Sequence, residues 1–515
     1  MAGAHGISGR AGGTHARRRT AAPAVPRQAK RALCPLVRGD LPWPAGPDAR
    51  ARVRRLQRPA APVSGGEGEG GRRAVRVVVV GGGLAGLAAA LELANGDAEV
   101  TLLEARPTLG GAVQTLPERE GDPDPPPDNG QHIALGCCTE YLRFLARIGE
   151  AGSVKRVPLA LCVLGEEGSV ATIGAGVLPL LRYRHLSLVD RLGVARVARK
   201  LGRLDPTEHD DETFRSLLRR LGQSQAAIDR FWDVFMRPAL NLRSEEASAA
   251  PAVFTVQRAL LGPRGAGDLV LPTRPLGAMH GDAAARTLEA TGAIVRTRAR
   301  VAELEPEAAV LGDGERVEAD AFVLAVPPVE SARLLGDEDP GFEDSPIVSI
   351  HMLFDRRVLE PPLAALLGSP AHWVFDRGRL TNREPEAGQY LTVVSSGAPE
   401  LLEVRGRNLV ELMAGELTAR LGEAQLVWSR VSREPGATLA ARPGTEARRP
   451  GPETGRPNVV RAGAWTRTGW PATMEGAIRS GISAAERLRG HPGPPPAFER
   501  SSDSRARVAQ DVPGA

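Results

Sequence analysis

The sequence of 515 residues predicts an α/β protein, and its most informative stretch lies between residues 75 and 111. Four consecutive valines, Val77 to Val80, are typical of a buried strand and lead into a glycine-rich turn. The apolar run Leu87 to Leu93 predicts a helix, and Val100 to Leu103 predicts a second strand. This order of strand, turn, helix and strand indicates the opening unit of a dinucleotide-binding domain.

Three glycines and one acid in this unit have separate physical roles. Gly81 permits the tight turn, Gly83 lets backbone amides approach a pyrophosphate, and Gly86 lets the helix pack against the strand. The positive end of the helix then faces the phosphates. Glu104 lies 23 residues after Gly81, which is about the spacing of a carboxylate that binds an adenosine ribose. These residues together predict that the chain binds a dinucleotide.

The residues after the acid indicate which dinucleotide binds. Glu104 is followed by Ala105 and Arg106, and then by the pair Gly110 and Gly111. This pattern resembles the continuation of the fingerprint in FAD-binding amine oxidases and carotenoid desaturases. The resemblance implies that FAD is the cofactor and that the fold is a Rossmann-like FAD-binding domain of the glutathione-reductase and amine-oxidase type.

Positive charge is concentrated near the beginning of the chain. The whole chain has a formal net charge of +5 and a pI of about 9.4. Residues 1–73 contain 15 of the 66 Lys and Arg and 4 of the 61 Asp and Glu, so this segment carries +11 and the remainder −6. No basic patch is interleaved with aromatic residues, and we therefore expect no nucleic-acid partner.

Composition also predicts where the chain is folded. Residues 1–73 are rich in Ala, Arg, Gly and Pro, and 491–515 are similar, so we expect a disordered basic extension and a disordered tail. Arg17 to Arg19 suggest a twin-arginine signal, but no apolar segment follows them. The longest apolar run, Val77 to Leu91, has 15 residues, fewer than the roughly 20 that span a bilayer.

The cysteines are few and do not form a recognisable pattern. They have neither a CxxC spacing nor the spacing of a metal site, and they are Cys34, Cys137, Cys138 and Cys162. We expect no structural metal and a location in the reducing cytoplasm, with a peripheral position on the inner face of the cytoplasmic membrane as a further hypothesis.

Helical and strand-rich segments alternate along the folded part. The sequence predicts an FAD-binding domain assembled from 74–150, 268–335 and 456–490, with an inserted α+β substrate-binding domain formed by 151–267 and 336–455. Residues from about 150 to 266 are expected to be mostly helical. Strands are predicted at Arg156–Val163, Ile294–Arg296, Arg300–Leu304, Ala321–Val326, Val348–Phe354, Trp373–Asp376 and Tyr390–Ser395, and residues 458–488 are expected to form a strand, a loop and a long helix.

Several further motifs resemble one particular family. The segment Asp128 to His132, followed by Leu135 to Cys137, resembles the DNGQH loop of squalene-associated FAD desaturases, which are hydroxysqualene dehydroxylases of hopanoid and squalene synthesis. The segment from Gly469 to Ala477, GWPATMEGA, is equally characteristic. Other matches are Phe231–Trp232, Pro238–Asn241, Ala259–Leu261, Leu324–Pro328 and Trp373–Gly378, so the resemblance extends over about residues 75–490.

The resemblance implies roles for individual residues. The predicted FAD-binding residues are Gly81, Gly83, Leu84, Ala85, Gly86, Glu104, Ala105, Arg106, Gly110, Gly111, Val301, Gly463, Ala464, Pro471, Ala472, Thr473 and Met474. The helix N-terminus after Pro471 is expected to stabilise negative charge on the reduced flavin. Asp128 and His132 are the candidate proton donors, although structural roles for both are an open alternative.

The implied reaction is the reductive removal of the hydroxyl group of hydroxysqualene to give squalene. A proton helps water to leave, and a hydride from reduced flavin quenches the allylic cation. With one dinucleotide fingerprint in the sequence, the reductant is expected to be transient NADPH or a redox partner. An amine or porphyrinogen oxidase and a carotenoid or phytoene desaturase remain alternatives, but three tyrosines in 515 residues give little support to an aromatic cage.

Three positions depart from the family pattern. Ala112 stands where relatives usually have Arg, Ala464 where they have Asp, and Arg467 where Asp is frequent. The acid at position 464 ordinarily binds the ribityl or pyrophosphate region, so its loss could weaken FAD affinity by about ten- to a hundredfold. A scaffold for isoprenoid enzymes with impaired FAD binding therefore stays open as a non-enzymatic alternative.

The sequence also suggests how a hydrocarbon substrate is collected. Residues 186–204 form a predicted amphipathic helix, with one face made of Val194, Val197, Ala198, Leu201 and Leu204. The cations Arg196, Arg199, Lys200 and Arg203 lie on the other side. We expect the apolar face to contact lipid, with packing onto the protein's own core as the alternative.

Overall fold

The computed structural model describes residues 74–96, 98–174 and 176–490, and the predictions for 1–73 and 491–515 lie outside them. The strands in chain order are β1 Val75–Val80, β2 Ala98–Leu103, β3 Ala134–Leu135, β4 Val154–Val157, β5 Ala160–Leu164, β6 Val170–Gly174, β7 Leu269–Pro272, β8 Ile294–Arg296, β9 Val301–Leu304, β10 Ala308–Leu311, β11 Arg316–Glu318, β12 Ala321–Leu324, β13 Asp344–Phe354, β14 Leu363–Leu366, β15 Trp373–Asp376, β16 Gln389–Ser396, β17 Leu426–Leu439 and β18 Val459–Arg461.

The α-helices are α1 Leu84–Ala94, α2 Thr139–Arg147, α3 Val177–Arg182, α4 Leu188–Leu201, α5 Phe214–Arg220, α6 Gln225–Ala227, α7 Asp233–Leu240, α8 Ala249–Thr255, α9 Ala283–Ala290, α10 Pro328–Leu335, α11 Arg377–Thr381, α12 Gly406–Leu421, α13 Thr445–Arg448 and α14 Met474–Leu488. Short π-helical and 3₁₀ segments lie between or beside them at Pro206–His209, Ile228–Trp232, Val256–Leu260, Ala278–Asp282 and Pro399–Leu401. No helix in the described ranges is long and apolar enough to cross a membrane.

The first large sheet is parallel and has the strand order β18-β12-β1-β2-β8. Helices cover it, so the valines Val77 to Val80 are buried on both sides of β1. This explains why the strand reads as a continuous apolar run instead of an alternating one. Its five strands come from residues 75–103, 294–324 and 459–461, which lie far apart in the sequence.

The second large sheet has seven strands in the order β17-β13-β16-β15-β14-β5-β6. Its strands pair antiparallel except for β14 with β5. One face joins the core that includes Trp232 and Phe214 from the helical segment, and the other face packs on α12. Two small sheets, with the strand orders β11-β10-β9 and β3-β7-β4, are the other sheets among the described residues.

Most predicted elements are confirmed, with shifts at their ends. The α/β fold is confirmed, and every predicted strand overlaps an observed one. The first helix begins at Leu84, three residues before the predicted Leu87, because the turn ends at Gly83. The segment Arg156–Val163 is interrupted between β4 and β5, which belong to different sheets. The proposed domain boundaries stay a prediction.

The prediction that the apolar face of residues 186–204 contacts lipid is wrong. The segment does form a helix, α4, but Val194, Val197 and Leu201 are 0 to 1% exposed. Leu204 and Ala198 also pack against the same core. Because this core supplies apolar partners from several helices and strands, the apolar face of α4 is buried inside the protein and does not need lipid to exclude water.

Helix α14 crosses α1 at very short range. A Cβ atom on Gly481 would lie 2.9 Å from the backbone nitrogen of Ala89 and still nearer to the carbonyl oxygen of Ala85. Where α1 follows the turn after β1, a Cβ on Gly86 would lie 3.0 Å from the carbonyl carbon of Gly81. Glycine is therefore required at both places, and the two helices and β1 form one closely packed unit.

We expect Gly481→Ala to lower the free energy of unfolding by roughly 1–3 kcal/mol, because the added methyl group must push α14 away from α1. Urea denaturation followed by circular dichroism measures this change. Gly415→Ala is the matched control, since Gly415 is exposed on α12 and a Cβ there meets nothing within 4 Å. It should be neutral or raise stability by about 0.5–1 kcal/mol. Equal effects of the two substitutions would contradict the close crossing.

Candidate functional site

The turn between β1 and α1 contacts the strand on its other side. Gly81 has a φ of +105°, and a Cβ on it would lie 2.9 Å from the carbonyl carbon of Ala325. The backbone nitrogen of Gly81 donates to the carbonyl of Leu103 at 2.8 Å, and that of Ala325 donates to Val80 at 2.8 Å. The turn is thus held between β2 and the residues that follow β12, as expected at the carboxyl edge of a parallel sheet.

The two glycine motifs of the sequence meet at this turn. Gly110 donates its backbone N–H to the carbonyl of Gly82 at 2.8 Å, and Gly110 also forms an isolated parallel bridge with Gly83. A Cβ on Gly111 would lie 2.7 Å from the Cα of Gly83. The backbones therefore touch with no side chain between them, which leaves a cradle of main-chain atoms beside the start of α1.

Among the described residues, no side chain caps the N-terminus of α1. Gly83 occupies the N-cap position without a side-chain hydrogen bond, and the first turn, which includes Leu84 and Ala85, contains no acid. The first amides of a helix lack intrahelical partners, and together with the helix dipole they favour an anion. This cradle fits a pyrophosphate, because a ligand phosphate would satisfy the amides that no side chain caps.

Glu104 is aimed at the same turn. Its Oε2 accepts from the backbone N–H of Gly82 at 2.6 Å and its Oε1 from that of Arg106 at 2.8 Å. The carboxylate is 8% exposed, and each oxygen retains a further lone pair for a ribose hydroxyl. Ala299 donates to the Glu104 carbonyl at 2.9 Å, so the chain that leads to Val301 runs beside the acid. Ala105 is exposed next to it.

The GWPATMEGA motif forms the start of α14. Thr473 is the N-cap, and its hydroxyl accepts from the backbone N–H of Gly476 at 3.4 Å. Pro471 is buried, whereas Ala472 and Met474 keep partial exposure. Upstream, Gly463 donates its N–H to the Ser480 hydroxyl on α14 at 2.8 Å. The predicted residues at 463–464 and 471–474 are therefore connected through α14, the former by Ser480 in its middle and the latter at its start.

Glu475 ties α14 to the helix that follows the DNGQH loop. Its carboxylate accepts from the backbone N–H of Tyr141 at 2.7 Å and of Glu140 at 3.2 Å, in the first turn of α2. Arg479 pairs with the same carboxylate at 2.8 Å. Burial raises the pKa of Glu475, and the amides and Arg479 oppose that shift. Glu475 is 1% exposed. From the first turn of α14, its carboxylate caps the N-terminus of α2.

The loop that contains Ala464 is held by a buried arginine. Arg449 donates to the carbonyl oxygens of Ala464 at 2.9 Å, Thr466 at 2.6 Å and Trp470 at 2.7 Å. Its side chain is fully buried and also pairs with Glu446 at 2.7 Å. The loop is therefore organised by its main chain, although the acid of the family pattern is replaced by alanine.

Both carboxylate oxygens of Asp128 have protein partners. Its Oδ1 accepts from the Thr115 hydroxyl at 2.7 Å and from the Leu276 N–H at 3.0 Å, and its Oδ2 lies 2.8 Å from Arg377 Nη1. Its backbone carbonyl accepts from His351 Nε2 at 2.8 Å. The Asp128 and Arg377 side chains are 1 to 2% exposed. These partners hold the carboxylate in place, so the geometry favours a positioning role.

His132 lies at the other end of the DNGQH loop and keeps partial exposure. Its Nε2 lies 3.2 Å from Asn129 Oδ1. Asn129 Nδ2 donates to the Ala112 carbonyl at 2.9 Å, and the Gln114 N–H donates to Oδ1 at 3.3 Å, so Oδ1 is an acceptor. Nε2 of His132 must therefore carry a hydrogen. In the described part of the chain, Nδ1 has no hydrogen-bond partner.

The DNGQH loop runs between the two parts of the predicted cofactor site. At its start it bonds to Ala112 and Gln114, directly after the glycine pair, and at its end it leads through Cys137 and Cys138 into α2, which Glu475 caps. Burial lowers the pKa of His132 to about 4, so the imidazole is neutral, with an Nδ1 that has no partner among the described residues. The loop can therefore present His132 to a substrate beside the cofactor.

Several residues of the site were missed by sequence reasoning. Arg377 belongs to a family match, but nothing in the sequence shows that it pairs with Asp128, which lies 249 positions away. Glu475 lies in the GWPATMEGA motif, and an acid in the first turn of a predicted helix is a sequence signal for a polar contact. Arg449 and His351 stand in no motif, so only their burial and partners reveal them.

We expect Glu104→Ala to weaken FAD binding by about ten- to a hundredfold, because one charge-assisted hydrogen bond to the ribose is lost. Flavin absorbance after gel filtration and titration of the apoprotein measure this change. Glu99→Ala is the matched control, since Glu99 lies on the same strand but is exposed. Full retention of flavin in the Glu104 variant would contradict the assignment of the dinucleotide fingerprint.

Comparison with known proteins agrees with this geometry. Residues 84–489 match the family described as flavin containing amine oxidoreductase. The hydroxysqualene dehydroxylase of Sinorhizobium fredii is 30% identical over 440 residues, which cover 80% of this chain and 97% of that protein. The enzyme of the same name from Rhodopseudomonas palustris is also 30% identical, with the same coverage. A 15-cis-phytoene desaturase of Capsicum annuum is 24% identical over 80% of this chain and 78% of that protein.

Solved structures share the fold at lower identity. Putrescine oxidase bound to putrescine superposes with a TM-score of 0.61 at 17% identity, covering 81% of this chain and all of that one. A putative protoporphyrinogen oxidase from Exiguobacterium gives a TM-score of 0.62 at 16% identity, covering 81% and 99%. The chain therefore belongs to the flavin-containing amine oxidoreductase family, as an FAD-dependent oxidoreductase similar to the hydroxysqualene dehydroxylases.

Proposed function

We propose that this protein reductively dehydroxylates hydroxysqualene to squalene, within squalene and hopanoid biosynthesis. The observation that carries the proposal is the similarity to proteins named hydroxysqualene dehydroxylase, at 27 to 30% identity over 97 to 99% of their length. The phytoene desaturases are more distant, at 23 to 24% identity. Both groups point to a long isoprenoid substrate.

The tyrosines argue against an amine substrate. An aromatic cage for an amine requires aromatic faces that are free to contact a ligand. Tyr141 is 3% exposed and its hydroxyl lies 2.9 Å from Nε2 of His280, while Tyr183 is fully buried and donates to the Arg230 carbonyl at 2.6 Å. Tyr390 is also fully buried, and the Arg377 guanidinium lies 6.0 Å from its ring centre. All three tyrosines thus have structural positions.

Two protein groups support the reaction in this proposal. Asp128, held by Arg377 and Thr115, positions the DNGQH loop. His132, once it has taken up a proton from solution as the imidazolium, donates that proton from Nδ1 to the substrate hydroxyl, so that the C–O bond breaks with water as the leaving group. Bound reduced flavin supplies the hydride for the new C–H bond. Each turnover therefore consumes one alcohol, one proton and one hydride, and it yields one hydrocarbon and one water molecule.

The reductant is a separate partner in this proposal. The sequence has one dinucleotide fingerprint, and it is assigned to FAD. NADPH that binds transiently, or a redox protein, would therefore have to return two electrons to the flavin in each turnover. The alternative functions, a phytoene-type desaturation and an FAD-impaired scaffold, need no such reductive supply.

Product analysis tests the function. Dithionite-reduced, FAD-loaded protein is incubated without oxygen with hydroxysqualene, and the extract is examined by gas chromatography and mass spectrometry. We expect squalene in the sample with reduced enzyme and none in the control with oxidised enzyme. Parallel incubation of oxidised enzyme with phytoene should yield no desaturated product. Desaturated phytoene without any squalene would contradict the proposal and favour the desaturase alternative.

The pH dependence tests His132. Since burial lowers the pKa of His132 to about 4, the imidazolium makes up about 1 in 1,000 molecules at pH 7 and about 1 in 10 at pH 5. The single-turnover rate of flavin reoxidation by hydroxysqualene should therefore rise as the pH falls. Negative charge on the reduced flavin would raise this pKa and move the profile to higher pH.

The variant His132→Asn gives the corresponding control. Asparagine keeps a hydrogen-bond donor for Asn129 but does not titrate, so we expect a rate lower by about 10²- to 10⁴-fold and no rise towards acid pH. FAD content should stay at the wild-type value. A variant that keeps the wild-type pH profile would show that another group delivers the proton.

A further inference from the structure

An unusual group of exposed apolar side chains lies on α3 and the first turns of α4. Leu178 and Leu181 on α3 are 58% and 39% exposed, and Leu188, Val189 and Leu192 on α4 are 66%, 79% and 62% exposed. The remaining exposed large apolar residues of the described chain are dispersed among other elements. We call this set the apolar patch. Soluble surfaces rarely collect so many large apolar side chains at one place.

The apolar patch continues into positive charge along the same helix face. Arg196, Arg199 and Lys200 follow Leu192 by four, seven and eight residues and therefore lie on the same side of the helix. All three are exposed. This face lies opposite Val194, Val197 and Leu201, which are buried in the core. The outward face of α4 is therefore apolar at its N-terminal half and cationic at its C-terminal half.

The one acid of α4 does not interrupt this surface. Both carboxylate oxygens of Asp190 are hydrogen-bonded, to Ser187 at 2.6 Å and to Ser224 at 2.5 Å. These bonds lower the pKa of Asp190 and keep its charge beside the helix N-terminus. Two other arginines are exposed nearby: Arg182 is the last residue of α3, and Arg184 lies in the connection between the two helices.

The patch is presented by a firmly held hairpin. In the connection between α3 and α4, Tyr183 is fully buried and Leu186 is 3% exposed. His185 lies 3.0 Å from the carbonyl of Val163, and Arg191 donates to the carbonyl of Leu181 at 2.6 Å, which joins the end of α3 to α4. The leucines are thus exposed although their supporting backbone is anchored in the core.

We propose that the apolar patch inserts into a bilayer with anionic headgroups, while Arg196, Arg199 and Lys200 bind those headgroups. A lipid surface offers apolar chains and negative charge at adjacent depths, which matches the apolar and cationic halves of α4. A second copy of the chain would instead bring the two cationic faces together. The proposal rests on the proposed function in that a C30 isoprenoid partitions into bilayers and is collected there.

The test uses the full-length FAD-loaded protein and liposomes made of phosphatidylcholine with phosphatidylglycerol. We expect wild-type protein to sediment with anionic liposomes, more weakly at 0.5 M salt, which screens the charges over about 4 Å. Arg199→Glu with Lys200→Glu should weaken binding by at least about 30-fold, since each cation near the membrane contributes roughly fivefold. Leu188→Ser with Leu192→Ser should also abolish sedimentation.

Matched controls carry the same changes elsewhere on the surface. Arg286→Glu with Arg407→Glu reverses two exposed charges, and Leu412→Ser with Val427→Ser removes two exposed apolar side chains. These variants should bind liposomes like the wild type. All variants should keep their flavin absorbance, which reports that they are folded.

The outcomes separate this proposal from the proposed function. Unchanged sedimentation of the α4 variants, or no binding by the wild type, would overturn the membrane surface, and in the first case residues 1–73 would be the next candidate. A loss of self-association in the variants, measured by light scattering, would assign the patch to a second copy instead. Squalene formation from detergent-solubilised substrate should be unaffected by the variants, so its absence would count against the reaction alone.

Discussion

The buried ion pair between Asp128 and Arg377 connects the two halves of the molecule. Asp128 accepts from Thr115 and Leu276, whereas His351 lies on β13 of the seven-stranded sheet and Arg377 begins α11, directly after β15 of that sheet. Removing one partner of such a pair leaves an unpaired buried charge, which costs several kcal/mol. The position of the DNGQH loop therefore depends on this contact. A side chain that the loop presents keeps its position relative to the cradle only while this pair and the bond to His351 hold the loop.

The cradle itself depends on the absence of side chains. Gly81 meets the residues after β12, Gly111 meets Gly83, and Gly481 meets α1, each at distances that a Cβ atom cannot tolerate. Backbone amides can approach a pyrophosphate only because these contacts leave them uncovered. The same close packing places the N-terminus of α14 near the loop that carries His132, through the bonds of Glu475 to α2. Cofactor binding and active-site alignment thus have one structural origin.

The loop that contains Ala464 is supported in the folded protein although the acid of the family pattern is missing there. Arg449 binds three carbonyl oxygens of the 464–470 loop, so the loop is held without that acid. A single substitution read from the sequence suggests a lost ligand contact, but it does not show how the surrounding main chain is supported. The shape of the loop therefore has a support that does not need an acid at position 464.

Local sequence determined the elements whose signal is contained within a few residues. The valine strand, the glycines of the turn, Glu104 and the GWPATMEGA helix start are defined by backbone conformation and by short spacings, and these predicted the α/β fold and the FAD cofactor. Tertiary structure decided the rest. It assigned the apolar face of Val194, Val197 and Leu201 to the core, gave Asp128 an arginine partner from 249 positions away, and left Nδ1 of His132 without a partner among the described residues. Amphipathic periodicity shows that one helix face avoids water, but only the packing of distant segments decides what covers that face.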